Sequence, residues 1–436
     1  MRSHIAWHRS AEYSARQNQG DFVYPSQTPA PVAEDIASGG TVAEVFLAFL
    51  KLGLTSFGGP IAHLGYFRDE LVVRRKWLDE RAYGDLVALC QFLPGPASSQ
   101  VGFALGVFRG NGLLGGLAAW LAFTMPSAII LFAFALSAQA FTGPVAEGFL
   151  HGLKLVAVAV VAQAIWGMAN SLAPDRTRAG IALAAVAIVV SSTGSLGQVL
   201  AIALGACAGF WLCRGEPGAI SGHLSFPVTR RAGVVALVLF SALLLLPPIA
   251  VQATGSQGLA LFDAFYRSGA FVFGGGHVVL PLLQAELVTP GWVSGQSFLA
   301  GYGVAQAVPG PLFTFAAYLG AIAGPSPNGF QGALIALVAL ALPGLLLVYG
   351  VLPFWDTIRS RSAAQAAMRG ANAAVVGILG AALYNPVWTS AVLTPQDFAL
   401  ALGGFLLLTL WKAPPWIVVL LLAVAGAISS AMQAMA

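Results

Sequence analysis

The sequence is poor in charge and in cysteine. Only 9% of its 436 residues are charged, whereas about a quarter are charged in a soluble domain. In turn, 58% are hydrophobic and the mean hydropathy is +0.80, which excludes an ordinary water-soluble globule. The three cysteines, Cys90, Cys207 and Cys213, lie in or beside apolar segments and lack metal-ligand spacing, which favours a packing role.

Long apolar runs dominate the chain. Four of them, at 112–137, 153–169, 234–251 and 332–352, approach or exceed the roughly 20 residues that a membrane-spanning helix needs. The runs are apolar on every face, whereas the strands of a membrane barrel alternate polar and apolar residues. The sequence therefore predicts an all-α, polytopic integral membrane protein that has the lipid bilayer as its surroundings.

Signatures of enzymes and of nucleic-acid binding are missing. The chain has no Walker loop, no cluster of cysteine or histidine and no nucleotide fingerprint after a strand. We therefore expect no catalytic residues, no metal and no cofactor. The net charge of +4 comes from Arg and Lys in short segments between apolar runs. This distribution carries information on membrane topology and predicts no nucleic-acid partner.

The chain contains an internal repeat. Segment 49–59, which ends in Phe57-Gly58-Gly59, recurs as segment 265–275, which ends in Phe273-Gly274-Gly275. Downstream, the turn Pro94-Gly95-Pro96 recurs as Pro309-Gly310-Pro311, each at the same distance from a preceding tryptophan and glutamine. We predict a disordered N-terminal tail at 1–40, repeat 1 at 41–213, a linker with a connecting helix at 214–258, and repeat 2 at 259–436.

Equivalent segments of the repeats differ in charge. Segment 66–81, interpreted as a loop, holds five basic residues, and its counterpart 284–296 holds none. Later, segment 139–150 has no Lys or Arg, but the segment before Gly370 has three. Because basic segments stay in the cytoplasm, equivalent segments should face opposite sides of the membrane. The pattern predicts inverted-topology repeats.

Glycine and proline predict interruptions in the helices. Phe57-Gly58-Gly59-Pro60 should break a helix, because glycine permits positive φ and proline removes a hydrogen-bond donor. The apolar segments on either side of Pro94-Gly95-Pro96 are too short to span a bilayer and predict a re-entrant hairpin. Irregular backbone at membrane depth survives only where protein or a water-filled cavity satisfies its polar groups. The breaks are therefore candidate sites, although a tight turn between packed helices is the simpler alternative.

Donors near the turns could hold an anion. Pro96 and Pro311 suit the first position of a helix whose free N–H groups would face the anion. Hydroxyls at Ser98, Ser99 and Thr314 could add donors. Gln91 and Gln306 precede the turns by three residues and could donate amide hydrogens, or else bond to a neighbouring helix.

Two cations occupy equivalent positions before the breaks. Lys51 and Arg267 each precede the first glycine by seven residues, and a charge inside a membrane usually marks an ion pathway. Snorkelling to the interface is the alternative. Asp263, one turn before Arg267, should partly neutralise it, so Lys51 is the better candidate for direct anion contact. The predicted substrate-binding residues are Lys51, Gly58, Gly59, Gln91, Pro94, Gly95, Ser98, Ser99, Arg267, Gly274, Gly275, Gln306, Gly310 and Thr314.

At Phe57-Gly58-Gly59, Trp77 and Pro94-Gly95-Pro96 the sequence resembles the chromate ion transporter family, in its long two-domain form, over about 41–436. The resemblance implies a secondary transporter in the bacterial inner (plasma) membrane. It further implies export of chromate from the cytoplasm, and hence chromate resistance, with sulfate as a structural analogue. Repeat 2 departs from the pattern, since Gly276 replaces Pro60 and the segment before Trp292 is uncharged.

Other functions remain open from the sequence. A transporter of sulfate or another oxyanion would use the same donors. An intramembrane lipid-modifying enzyme would need paired carboxylates or histidines at one depth, a set that Asp85 and Asp263 do not form. His63 and His277 follow the two breaks at different offsets, which favours packing roles. The sequence is also compatible with a homodimer.

Overall fold

The computed structural model describes residues 39–57, 59–138, 143–192, 195–214, 226–273, 276–324, 326–355 and 361–435. The predicted disordered tail at 1–40 lies almost wholly outside the described residues, as do Gly58, Gly274 and Gly275. The regular structure of the described segments is helical throughout and contains no strand. The prediction of an all-α fold is confirmed.

The first part of the chain forms eight helices in the described residues. They are α1 (Val42–Thr55), α2 (Gly59–Phe67), α3 (Glu80–Phe92), α4 (Ala97–Arg109), α5 (Leu113–Ala138), α6 (Pro144–Leu172), α7 (Arg176–Ser191) and α8 (Ser195–Leu212). Acidic side chains cap two of the helix starts, since Asp79 and Asp175 each accept a hydrogen bond from a backbone N–H three residues later.

Helix α9 (Arg230–Thr254) follows and precedes the second set of helices. That set comprises α10 (Gln257–Ala270), α11 (Val279–Leu287), α12 (Gly295–Ala305), α13 (Phe315–Ile322), α14 (Gly329–Val351), α15 (Ser362–Ala382), α16 (Pro395–Thr409) and α17 (Pro415–Met435). Short 3-10 turns, Gly276–Val278 and Leu312–Thr314, precede α11 and α13.

Six helices are long and apolar enough to cross a membrane among the described residues. They cover Leu113–Ser137, Pro144–Leu172, Arg230–Thr254, Gly329–Phe354, Ser362–Ala391 and Pro415–Met432. Each of the four apolar runs seen in the sequence falls within one of these six. The chain is therefore a multi-pass membrane protein.

The predicted breaks are present. Helix α1 ends at Thr55 and α2 begins at Gly59, whose φ of +79° is in the left-handed region that favours glycine. The chain then turns back, so that the rings of Phe49 and Phe67 lie 5.5 Å apart. We call the described residues of this connection, 56–57 and 59–60, break 1, and the equivalent described residues 272–273 and 276 break 2.

The turns Pro94-Gly95-Pro96 (turn 1) and Pro309-Gly310-Pro311 (turn 2) connect short helices. Helices α3 and α4 have 13 residues each, and α12 and α13 have 11 and 8, so none reaches the length of a span. Each turn therefore joins two helices that are too short to span a bilayer, as predicted, and re-entry into the membrane stays a prediction. Pro96 and Pro311 are the capping residues before their helices rather than the first helical residues.

The basic segment 66–81 differs from its prediction as a loop. Helix α2 continues as a π-helical turn, Arg68–Arg74, which leaves only 75–79 irregular before α3. Leu71 and Val72 explain the difference, because both are buried between the basic residues and hold this segment against the core. The counterpart in repeat 2 is also partly helical, since α11 extends to Leu287.

The two repeats interlock. Helix α6 of repeat 1 packs along α17 of repeat 2, and α15 of repeat 2 packs along α8 of repeat 1. Glycines allow both contacts: a Cβ at Gly152 would collide with the carbonyl oxygen of Leu422, and one at Gly370 with that of Gly205. The contacts are reciprocal, as a pseudo-twofold axis requires. With the unequal loop charges, they describe two inverted repeats around one core.

Candidate functional site

Each turn binds the break of the other repeat. The backbone N–H of Gly310 in turn 2 donates to the carbonyl oxygen of Ser56 in break 1, at 2.8 Å. The N–H of Gly95 in turn 1 donates to the carbonyl oxygen of Val272 in break 2, at 2.6 Å. We call these two places crossing 1 and crossing 2. Neither repeat could form a crossing from its own residues.

The two breaks also face each other. The Cβ position of Gly59 lies 4.0 Å from His277 Nε2, and that of Gly276 lies 3.3 Å from the ring of Pro60. All four hairpin tips therefore meet at one place in the molecule. Irregular backbone from both repeats is concentrated there, which is where a polar substrate could replace the missing helical hydrogen bonds.

Crossing 1 is lined by buried polar side chains. Ser56 is fully buried beside the carbonyl that receives the Gly310 bond, and α5 brings Ser127 against the same glycine, 2.8 Å from its Cβ position. Thr124, one turn earlier on α5, and Gln306, just before turn 2, are also buried. Within the described residues, Ser56 Oγ, Thr124 Oγ1 and Gln306 Nε2 have no hydrogen-bond partner.

His63 of α2 adds a fourth donor. Its ring is buried against Phe123, with the ring centroids 5.3 Å apart, and its Nδ1 lies 3.4 Å from Ser98 Oγ. If Nδ1 accepts the hydroxyl proton of Ser98, the ring proton resides on Nε2. Nε2 makes no hydrogen bond of good geometry among the described residues, although the ring does interact with the backbone of Ser56. Crossing 1 and the residues close to it along the chain thus include four buried groups that can each donate a hydrogen bond.

Crossing 2 has a different chemistry. Val272 replaces Ser56, and Gly344 of α14 occupies the position that Ser127 has on α5. The side chain of Gln100 lies nearby, and its amide Nε2 donates hydrogen bonds to the carbonyls of Pro94 and Gly344, at 2.9 and 3.0 Å. Its unpartnered atom in the described structure is the acceptor Oε1. An orphan acceptor repels an anion, so crossing 2 suits packing better than anion binding.

An ion-pair cluster, which we call cluster 1, joins the two arms of the first hairpin. Lys51 Nζ lies 2.8 Å from Glu70 Oε2, Arg75 Nε lies 2.8 Å from Oε1, and Arg74 Nη1 lies 3.3 Å from Oε2. Burial acts to raise the pKa of Glu70, but the hydrogen bonds from Lys51 and Arg75 hold that pKa below its ordinary value. The carboxylate therefore stays ionised at neutral pH.

Cluster 2 is the counterpart in repeat 2. Arg267 Nη2 lies 2.9 Å from Glu286 Oε1, and Arg267 Nε lies 3.8 Å from Asp263 Oδ2. Glutamate follows the cation by 19 residues in both clusters. Lys51 therefore also has an acidic partner, which comes from the second arm of the hairpin rather than from its own helix, and its direct contact with an anion stays a prediction.

Open space connects cluster 2 with the centre. A cavity of about 530 Å³ is lined by Arg267 and Glu286 together with apolar side chains of α8, α9 and α10. A second cavity of about 360 Å³ reaches Pro94 and Phe273 at crossing 2. Both are lined by Val199, Leu244 and Phe271, so they adjoin. Cluster 2 and crossing 2 therefore border two adjoining cavities.

The structure separates the predicted site residues into groups. Gly59, Ser98 and Gly310 lie at crossing 1 or against it, and Gln306 is buried just before turn 2. Pro94 and Gly95 belong to turn 1 at crossing 2, and Lys51 and Arg267 lie in the two clusters. Ser99 is buried on α4, whereas Gln91 is exposed, unlike its buried equivalent Gln306. The Thr314 hydroxyl donates within its own turn, to the carbonyl of Pro311 at 2.7 Å.

Several residues of the site were missed from the sequence. Ser56 immediately precedes Phe57-Gly58-Gly59, so its position beside a break was a usable signal. Glu70 and Glu286 could have been found by extending the repeat alignment, since they match in spacing. Thr124 and Ser127 gave no signal, because they lie within an apolar run and acquire a role only where turn 2 packs on α5. His63 was interpreted as a packing residue, although its Nε2 makes no hydrogen bond of good geometry in the described structure.

Comparison with known proteins identifies the family. The family model "Chromate transporter" matches residues 43–210 and 259–427. The chain is 27% identical over 416 residues to the chromate transport protein of Pseudomonas aeruginosa, covering 92% of this chain and 94% of the relative. It is 29% identical over 400 residues to the probable chromate transport protein of Synechococcus elongatus, covering 87% and 93%.

A third relative is the chromate transport protein of Cupriavidus metallidurans, 26% identical over 367 residues, covering 82% of this chain and 86% of the relative. No solved structure matches the chain. The matched residues include both breaks, both turns and both clusters, so the duplicated features of the fold are the ones that the family model describes. This protein belongs to the chromate transporter family.

Proposed function

We propose that this protein exports chromate, or a related tetrahedral dianion such as sulfate, from the bacterial cytoplasm through crossing 1, and that it thereby confers chromate resistance. The observation that carries the proposal is the set of buried donors without partners at Ser56, His63, Thr124 and Gln306. The names of the Pseudomonas and Cupriavidus relatives favour chromate as the dianion.

A tetrahedral oxyanion complements this set of donors. Its four oxygens accept hydrogen bonds and donate none, whereas Ser, Thr, His and Gln side chains can all supply hydrogens. Hydrogen bonds to a charged group are worth about 1.5–3 kcal/mol each. Neutral donors therefore bind the dianion firmly, and they also allow its release, which a buried cation without a counter-charge would hinder.

The membrane potential favours the outward direction. Moving one charge through 100 mV corresponds to about 2.3 kcal/mol, so a dianion gains roughly 4.6 kcal/mol when it leaves a cell that is negative inside. Export needs no further energy source in this scheme. Uptake would face the same term as a penalty and would need coupled cations. The basic segment that includes Arg74 and Arg75 supports an inner-membrane orientation with cluster 1 towards the cytoplasm.

Transport into inverted membrane vesicles tests the proposal. The cytoplasmic face of such vesicles is outside, so export appears as uptake, and an interior-positive potential should drive it. We expect chromate accumulation that depends on the potential, declines with excess sulfate and exceeds that of vesicles without the protein. A protonophore that leaves accumulation unchanged at a clamped potential would show that protons are not coupled.

Two results would oppose the proposal. If the vesicles contain the protein but accumulate neither chromate nor sulfate, the protein is not an exporter of tetrahedral dianions. If sulfate accumulates and chromate neither accumulates nor competes, the donors at crossing 1 serve a sulfate-selective carrier and the resistance role fails. Ser56→Ala vesicles provide the comparison that links transport to crossing 1.

A further inference from the structure

We infer that cluster 1 is a second, peripheral binding site for the dianion, and that the Glu70 carboxylate occupies it as a tethered competitor until the substrate displaces it. The inference rests on the proposed function and goes beyond it, because it assigns a capture site outside the hairpin tips. The ligand class is a divalent oxyanion approaching from the cytoplasmic side.

The composition of cluster 1 supports this site. Three cationic groups surround one carboxylate, so the cluster keeps a formal charge of +2 after pairing. The Glu70 side chain is 7% exposed, whereas those of Lys51 and Arg74 are 45% and 61% exposed. The carboxylate is therefore enclosed, while the cations around it remain open to an incoming anion. A dianion would neutralise the charge of +2 that remains after Glu70 has paired with these cations.

Cluster 2 is a natural comparison. It occupies the equivalent position, but one arginine faces two carboxylates there, which leaves a formal charge of −1. An anion would be attracted to cluster 1 and repelled from cluster 2. The two repeats therefore present unlike charge at equivalent positions. That difference favours capture on the side of repeat 1 and hinders rebinding on the side of repeat 2.

The position of cluster 1 also fits a capture site. Lys51 precedes the last residue of α1, Thr55, by four residues, which corresponds to about 6 Å along the helix. Glu70 and Lys51 belong to the two arms of the hairpin that carries break 1 at its tip. When a dianion binds Lys51 and the arginines in place of Glu70, the ion pair between the two arms is broken. The tip can then shift relative to crossing 1. Binding at cluster 1 would thus prepare access to the inner site.

The test compares Glu70→Gln with the matched variant Glu286→Gln in inverted vesicles. Without its charge, residue 70 no longer competes for the cations, so the half-saturating chromate concentration should fall by about fivefold or more. Glu286→Gln leaves Arg267 paired with Asp263 and frees no cation, so it should lower that concentration by much less than Glu70→Gln does. Arg74→Gln, at an exposed side chain, should raise it by about twofold to fivefold without lowering the amount of protein in the membrane.

The outcomes separate this inference from the proposed function. If the wild type transports chromate but Glu70→Gln leaves the half-saturating concentration unchanged or raises it, cluster 1 is a structural link and the inference is wrong. An equal decrease in Glu286→Gln would also overturn it. If Glu70→Gln does not reach the membrane, the Arg74→Gln result decides. If the wild type moves no dianion, the proposed function fails and the capture site fails with it.

Discussion

A buried hydroxyl that lacks a partner destabilises a folded protein, because no hydrogen bond offsets the free energy of its desolvation. Crossing 1 contains two such groups among the described residues, Ser56 Oγ and Thr124 Oγ1. The buried hydroxyl of Ser268, in contrast, donates to the carbonyl of Ala264 at 2.7 Å. The unpaired hydroxyls are explained if a ligand binds them during transport.

Ser56→Ala should therefore impair transport without impairing stability. Loss of one hydrogen bond to a dianion, about 1.5–3 kcal/mol, should raise the half-saturating chromate concentration by about tenfold or more. The thermal midpoint of the purified protein should stay equal or rise, because no protein partner is lost. Transport kinetics and a thermal unfolding assay measure the two effects.

Ser192→Ala is the matched control for Ser56→Ala. Ser192 Oγ donates to the carbonyl of Ile188 at 2.7 Å, far along the chain from either crossing. Its removal should lower stability by about 1 kcal/mol and leave transport unchanged. If both variants lose stability and neither changes the half-saturating concentration, the hydroxyl of Ser56 does not bind the substrate.

At the scale of elements, the crossings depend on turns that come close to a foreign helix. Gly95 has φ of +127°, and a Cβ there would lie 2.7 Å from Gln100 Nε2 and 3.0 Å from Gly344 Cα. Gly112, at the start of α5, has a similar φ of +129° but nothing within 4 Å of its Cβ position. Comparing substitutions at Gly95 and Gly112 therefore distinguishes the effect of backbone strain from the effect of contact with the neighbouring repeat.

Gly95→Ala should be more harmful than Gly112→Ala. Both variants place alanine in the left-handed region, at a cost of about 1–2 kcal/mol. Gly95→Ala additionally pushes turn 1 away from α14 and lengthens its bond to Val272, so transport should fall by about tenfold or more beyond the effect of Gly112→Ala. Transport rates normalised to the protein in the membrane measure this, and equal losses would contradict a role for the close contact.

At the scale of the whole molecule, the repeats are held together by helices that cross at glycine. Gly152 of α6 lies against Leu422 and Gly426 of α17, whereas Gly167, further along α6, has nothing within 4 Å of its Cβ position. Membrane helices associate largely through such close backbone packing, since lipid offers no hydrophobic driving force between them. The packing of α6 against α17 should therefore be sensitive to side-chain volume at Gly152 and tolerant of it at Gly167.

Gly152→Val should destabilise the folded protein, and Gly167→Val should not. Overpacking at a well-packed contact costs about 1–3 kcal/mol, and here the obstructing atoms are backbone. We expect a lower thermal midpoint and less folded protein in detergent for Gly152→Val, with the Gly167→Val midpoint near that of the wild type. Equal behaviour of the two variants would mean that α6 and α17 are not joined as described.

The sequence predicted the local features of the fold and missed the ones that depend on contact between repeats. Breaks at Gly59 and turns at Gly95 and Gly310 follow from backbone chemistry, and the long helices follow from hydropathy. The partners of these features do not, since a turn gives no indication that its N–H will bond to Ser56 rather than to its own repeat. The repeat showed that Lys51 occupies the position equivalent to Arg267, but it did not show that Lys51 pairs with Glu70.

Crossed pairing of the repeats has a consequence for their origin. A chain with a single repeat has a break and a turn but no partner for either, so it must associate with a second, oppositely oriented copy. The two crossings of such a pair would be identical in sequence. Joining the copies in one chain removes that identity, because each crossing then draws on its own residues. Serine at position 56 and valine at position 272 show this difference: one crossing has a polar side chain where the other has an apolar one.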